Sequence, residues 1–435
     1  MRFVQRCTVH LAVVVLGDSS FLLEIQLTVK RNKVVIIGAN FAGLTAAIEL
    51  PRSMDVTVID PSPHFEWIPA IHEILSGVKT QKGLQLNRAQ IIAHAGHRFM
   101  QDSVARIDTR RHRLVTAAGE SLTYDVAIVA VGGVTNNYHI PGVDRFTWPF
   151  RTVADSLAIE HQFDALRHTQ PTLQVVVVGG GISGVEALGE LLRRYRDRPK
   201  ISFAIVEAGN QLMPGFPKTI DADLRRLCQD HAVSIHTGDP VERVTPKGVW
   251  LASGKRVPSA LTIWAAGLAP PPLLTEAKLI RTPHTWAPVH QSLQSRYAQD
   301  IFVVGDAAAL PKPSGKQAYN AIEMGAMAAR NATRWLAGQK LKDFKPPAKP
   351  MLVAFGDLET YLVANKIVLA SKTLAAAKEG IYQLFMAQTA PQSGLQAVPG
   401  ALRRLRKSWH ELVVPGLLSI KDIRALEDCR VLKLL

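Results

Sequence analysis

Two glycine-rich turns carry the chain's clearest chemistry: Gly38-Ala39-Asn40-Phe41-Ala42-Gly43 and Gly179-Gly180-Gly181-Ile182-Ser183-Gly184. Each comes straight after a hydrophobic run, residues 33–37 and 175–178. A pyrophosphate has to be met without bulky side chains, so the strand turns sharply at a glycine and aims the next helix's N-terminal amides at the phosphates. Asp60 follows about 20 residues beyond the first glycine, where a carboxylate at a strand's end accepts hydrogen bonds from ribose hydroxyls. Glu207 repeats that position in the second copy. Two such turns imply two dinucleotides, and a carboxylate at Glu207 would repel a 2′-phosphate on the second.

These residues need a strand before the turn, a helix after it and a second strand to carry the acid. The first unit supplies a helix whose Ala46, Ala47 and Leu50 can pack on a sheet, the second a helix through Val185, Leu188 and Leu191. Residues 124–133 and 260–267 end the two units in similar Val/Ala-rich runs closed by glycine, so internal duplication is the simplest reading. A further strand-like run, residues 300–306, delivers Gly305 and Asp306 at its tip ahead of a helix through Ala321, Ala326 and Ala329.

This order of motifs resembles the flavoproteins with two dinucleotide-binding domains, and within them is most similar to the type II NADH dehydrogenases. The similar stretches are residues 64–69 and 72–77, 133–137 with 140–142, 184–186 and 264–267, and the resemblance runs from Lys33 to about Thr389. It implies an α/β fold of two Rossmann-like (FAD/NAD-linked reductase) domains with a discontinuous FAD domain, residues 32–143 and 285–345, an inserted NADH domain, residues 144–284, and a C-terminal α+β or helical membrane-associating region, residues 346–435. FAD is expected in the first site, held by Gly38, Asn40, Phe41, Ala42, Gly43 and Asp60, with Asp306 on the ribityl chain. NADH, in preference to NADPH, is expected at Gly179, Gly181, Ile182, Gly184 and Glu207. Further cofactor contacts are expected at Pro69, Gly132, Ala266, Gly267, Gly305, Ala321 and Ile322. Glu186 matches an acid near nicotinamide and flavin and is the expected catalytic residue; the alternative is a glutamate stabilised at the start of its helix by the dipole. A membrane quinone is the implied final acceptor, reached without proton pumping. Here the chain departs from many members, which carry paired glutamines where it has Glu323 and Met324.

Composition narrows the partners. The chain of 435 residues is long enough for two to three domains. Its net charge of +15 suits an anionic lipid surface or an acidic protein, and no nucleic-acid module accompanies it. In residues 401–413, Leu402, Leu405, Trp409, Leu412 and Val413 share one helical face and Arg403, Arg404, Lys407 and His410 the other, the pattern of a helix lying in a membrane interface or of an ordinary basic surface helix. No run of about 18 apolar residues occurs, so a peripheral enzyme on the cytoplasmic side of the membrane is expected. In relatives the C-terminal region often mediates dimers, which makes a homodimer an expectation of the resemblance. Residues 1–31 read as an extension ahead of the first strand, with the working start near Val29. Cys7, Cys228 and Cys429 are far apart and form no C-x-x-C, which excludes the cysteine-pair relay of disulfide reductases and sulfide oxidases. Two other readings stay open: a soluble NADH-dependent reductase of an acidic iron-sulfur protein, and a flavin-binding signalling protein like apoptosis-inducing factor.

Overall fold

The computed structural model describes residues 31–347, 349–364, 367–390 and 429–433, together with the short strand pair Thr8–Val9 and Leu27–Thr28. The basic stretch 401–413, most of the N-terminal extension and Cys7 lie outside the described residues. The chain divides into two compact units, one made of the chain up to Pro63 with Arg88–Gly132 and Pro270–Pro346, the other of His64–Asn87, Gly133–Ala269 and Pro347 onward.

The first unit is built on a five-stranded parallel sheet in the order Ile301–Val303, Val126–Val129, Lys33–Ile37, Asp55–Ile59, Arg98–Met100. Its central strands are unbroken apolar runs, as a sheet covered on both faces requires. Val35, Ile37, Val129, Ile301 and Val303 form part of its core. The helix Phe41–Glu49 crosses the helix Ala318–Leu336 at Gly325, where an added Cβ would come 2.1 Å from the Ala42 carbonyl oxygen. Only a glycine allows that approach.

The second unit repeats the plan with the order Trp148–Pro149, Leu261–Trp264, Leu173–Val178, Ile201–Glu207, Ser234–Thr237, all parallel. In both sheets the strand leading into the glycine turn lies between the acid-bearing strand and the Val/Ala-rich strand, so the internal similarity of the sequence extends to topology. The second unit also carries a four-stranded antiparallel sheet, Met351–Phe355, Glu359–Ala364, Ile367–Ala370 and Arg430–Lys433. This sheet meets the helix Ile182–Tyr195 through two glycines: a Cβ on Gly189 would fall 2.4 Å from the Gly356 nitrogen. The helix Leu374–Thr389 buries Leu374, Tyr382 and Met386. Ala377 and Ile381 are only half-buried, because Leu374, Tyr382 and Met386 at i, i+8 and i+12 define the buried stripe.

Candidate functional site: two nucleotide turns and a buried ion cluster

In the first unit the strand Lys33–Ile37 turns at Gly38, whose φ is +90° and whose added Cβ would strike the Ala130 carbonyl oxygen at 2.4 Å. Gly43 is tighter still, with 1.8 Å from an added Cβ to the Gly38 oxygen. Asn40 caps the helix Phe41–Glu49 without a side-chain hydrogen bond to its amides, leaving that N-terminus suited to an anion. Asp60 closes the turn from beside it: its Oδ2 accepts from the Ala39 N–H at 2.7 Å and its Oδ1 from the Ser62 N–H at 2.9 Å. Arg88, only 4% exposed, donates to Asp60 Oδ1 at 2.5 Å, to the Ser62 carbonyl at 2.6 Å and to the Ala39 carbonyl at 2.8 Å. A buried guanidinium thus neutralises the acid and fastens the turn's backbone.

Gly305 and Asp306 lie in the short 3-10 turn Gly305–Ala307 after the strand Ile301–Val303. Gly305 has φ +66°, and a Cβ there would sit 3.5 Å from Ala42 and 3.8 Å from Ala321, so the Gly-Asp turn meets the glycine turn and the start of the helix Ala318–Leu336. Ala321 and Ile322 are in that helix's first turns. Lys316 donates to the Asp306 carbonyl at 2.8 Å, and burial pulls its ammonium down to about 8 against the pull of Asp306. Gly132, with φ +62°, has open space where a Cβ would be. Gly38, Asn40, Phe41, Ala42, Gly43, Asp60, Gly132, Gly305, Asp306, Ala321 and Ile322 all belong to the first unit, whereas Pro69, in the turn Ile68–Ala70, belongs to the second.

The second turn has the same skeleton. Gly179 takes φ +109° with an added Cβ 2.4 Å from the Ala265 oxygen, and Gly184 would meet the Gly179 oxygen at 1.8 Å. Gly181 faces open space, and the helix Ile182–Tyr195 that it caps has no side-chain cap. Glu207 accepts from the Gly180 N–H and the Gly209 N–H, both at 2.7 Å. Ala266 and Gly267 follow the strand Leu261–Trp264, and the Tyr138 hydroxyl donates to the Ala266 carbonyl at 2.8 Å.

Glu186 lies one step past the first turn of its helix, 7% exposed, and its partners are side chains rather than the helix's own first amides. Lys378 Nζ donates to its Oε1 at 2.5 Å, the Ala354 N–H at 3.3 Å, and His72 Nδ1 lies 3.5 Å from its Oε2. Lys378 Nζ is also 3.1 Å from His72 Nε2. Burial pushes the Glu186 carboxyl up against the opposing pull of Lys378. Burial, then Lys378, holds His72 far below its ordinary range and therefore neutral. The arrangement is a short lysine–carboxylate pair flanked by a neutral imidazole and largely enclosed by protein.

Arg88 and Lys378 are the functional residues that the sequence reading missed. Lys378 interrupts an apolar helical stripe, a signal of a buried charge awaiting a partner. Arg88 stands 28 residues from Asp60 in no periodic pattern.

Paired turns, paired acids and a late Gly-Asp turn on two like-ordered parallel sheets define an α/β oxidoreductase of the two-dinucleotide class. The sequence pattern of the pyridine nucleotide-disulphide oxidoreductases matches residues 32–325, and the chain belongs to that family. Cys228 and Cys429 are free, and burial pushes the Cys228 thiol up to about 12, so neither is a poised redox thiol. Among similar proteins, the demethylphylloquinone reductase NdbB of Synechocystis is 23% identical, aligned over 82% of this chain and 92% of its own. The type II NADH:quinone oxidoreductase of Haemophilus influenzae is 24% identical over 81% of this chain and 93% of its own. The fold matches that of NDH2 from Plasmodium falciparum in complex with NADH, with a TM-score of 0.75 and 19% identity, covering 88% of this chain and 99% of that one. It also matches the sulfide:quinone oxidoreductase of Aquifex aeolicus, with a TM-score of 0.73 and 16% identity over 92% and 97%.

Proposed function

We propose that the protein is an FAD-dependent NADH:quinone oxidoreductase that acts at a membrane surface. The observation that carries this reading is the pair of pyrophosphate-type turns, each with its own acid, in a chain that covers 93% of a type II NADH:quinone oxidoreductase. The residues fit the two cofactors: the crowded glycines leave no room for side chains on the strand side, while Gly132 and Gly181 leave open space where a ligand would lie. In this reading residues 32–143 and 285–345 serve FAD and residues 144–284 serve NADH. Gly38, Asn40, Gly43 and Asp60 hold the adenosine pyrophosphate, Asp306 the ribityl chain, and Gly179, Gly181, Gly184 and Glu207 the NADH. Bound FAD supplies two-electron exchange between nicotinamide and quinone. The chain's own work is to bind, orient and move protons: Lys378 holds one against Glu186, and neutral His72 fixes both groups.

Peripheral attachment on the cytoplasmic side is assigned to residues 401–413, where each Lys or Arg near anionic lipid is worth about 1 kcal/mol; among the described residues no helix is long and apolar enough to cross a membrane. A homodimer is part of the same proposal.

The test is anaerobic. NADH should bleach the purified yellow protein, NADPH should do so with a kcat/KM at least about tenfold lower, and a menaquinone or ubiquinone analogue should restore the colour. Reoxidation by an acidic iron-sulfur protein but by no quinone analogue would replace this reading with the soluble-reductase one.

A further inference from the structure

One carboxyl of the second unit lies in the ion cluster and has no part in the chemistry assigned so far. Glu73 opens the short helix Glu73–Ser76, and its Oε2 is buried with no hydrogen-bond partner among the described residues. Lys79 Nζ stands 4.0 Å from that oxygen, lies over the Tyr382 ring, and is paired with Glu379 at 2.6 and 2.7 Å. Lys378, the residue before Glu379 on the helix Leu374–Thr389, faces Glu73 and also holds Glu186. Glu190, one turn beyond Glu186, brings a second carboxyl into the cluster; its side chain is 2% exposed and its Oε2 is likewise without a partner.

Side-chain exposure is 42% at Glu379, while Lys79, Glu73, Lys378 and Glu186 are all far more enclosed, at 11%, 16%, 14% and 9%. Two unpartnered carboxyl oxygens in one buried cluster are costly when both groups are charged, and a proton on one of them relieves the cost.

We infer that Glu73 is the exchange point through which a solvent proton, entering at Glu379 and its partner Lys79, reaches the enclosed Lys378–Glu186 pair. Burial pushes Glu73 up to about 7, with Lys378 and Lys79 pulling it down and Glu190 and Glu379 pushing it further up, so it is present in both forms near neutrality. The inference rests on the NADH:quinone reading, in which NADH, quinone and one solvent proton become NAD⁺ and quinol. Lys378 releases a proton toward the acceptor and is left as the amine; protonated Glu73 restores it and becomes a carboxylate; water restores Glu73 by way of Lys79. Glu73 therefore acts through Lys378 and touches no substrate.

The experiment compares the wild-type holoenzyme with Glu73→Gln, Glu73→Asp and Glu379→Gln in two ways. Stopped-flow should show reduction by NADH unchanged in Glu73→Gln, while reoxidation by a soluble quinone analogue slows by about a hundredfold and loses its pH dependence around neutrality; Glu73→Asp should recover most of the rate and Glu379→Gln lose only part of it. Infrared titration, without turnover, should show a protonated-carboxyl band that fades through neutrality in the wild type and is missing in Glu73→Gln. A Glu73→Gln enzyme with the wild-type reoxidation profile, or one that slows both half-reactions alike, overturns the inference, as does a band that persists in that variant. A wild type that NADH reduces and no quinone reoxidises defeats the quinone reading instead, and the infrared band then decides whether Glu73 exchanges protons.

Discussion

The two nucleotide turns solve one packing problem with opposite choices of size. In the first, Ala39 faces Asp60; in the second, Gly180 faces Glu207, and in each the turn's N–H donates to the acid at 2.7 Å. A Cβ on Gly180 would lie 2.8 Å from Glu207 Cβ and 2.9 Å from Leu212 Cδ2. The second turn therefore takes a glycine because the base of the acid's side chain and Leu212 crowd this position, while the first turn accommodates the methyl group of Ala39. The acids differ in charge environment as well. Asp60 is neutralised by buried Arg88, whereas among the described residues Glu207 is held by backbone amides alone. In the proposed reading the first turn, fastened by a buried cation, serves the resident FAD, and the second, whose acid has no cation beside it among the described residues, serves NADH in preference to NADPH.

Breaking the first site's ion pair should have the largest effect. Arg88→Met leaves the half-buried Asp60 without its cation and should cost about 3 kcal/mol of stability, read from denaturant unfolding, with loss of the yellow colour. The equivalent glycines should separate the two sites next. Gly43→Ala should give a colourless protein, while Gly184→Ala should stay yellow but be reduced by NADH at least about tenfold more slowly at limiting NADH, a difference of about 1.4 kcal/mol. The crowding at Gly180 predicts a smaller effect. Gly180→Ala should lose about 1–3 kcal/mol through overpacking, and combining it with Leu212→Ala, which removes the crowding Cδ2, should cost less than the sum of the two single changes in a double-mutant cycle.

The smallest effect concerns pH. The folded-state pKa of Glu73 is raised from the ordinary 4.5 to about 7, so its stabilising contribution is fully present below about 4.5 and is lost as pH rises through about 7. Melting temperatures of wild type and Glu73→Gln should therefore diverge over that window, with the variant gaining relative to the wild type as pH increases.

The turns, their strands and their acids were legible in the sequence because they are local. A glycine forced by a backbone oxygen 1.8 Å from its would-be Cβ, or an acid ending an apolar strand, leaves its mark within a few dozen residues. The ion cluster was not legible, because it is assembled across the chain: Lys378 reaches Glu186 over 192 positions and His72 over 306. Resemblance singles out Glu186, but its partner Lys378, on a helix near the other end of the sequence, becomes visible only when the two are placed side by side. The difference between Ala39 and Gly180 was written in the sequence, but its meaning needed the distances.

The strand Arg430–Lys433 forms the edge of the four-stranded sheet, and Arg430 reaches Asp223 at 2.8 and 2.9 Å and pairs with Glu359, while the Tyr361 hydroxyl donates to Asp223 at 2.9 Å. Shortening the protein from its C-terminus to remove the basic stretch would therefore also strip the cation from two buried acids and expose a raw sheet edge. A test of the proposed lipid attachment should therefore excise residues 391–428 and splice Ala390 to Cys429 through a flexible linker, keeping the last strand as a clasp.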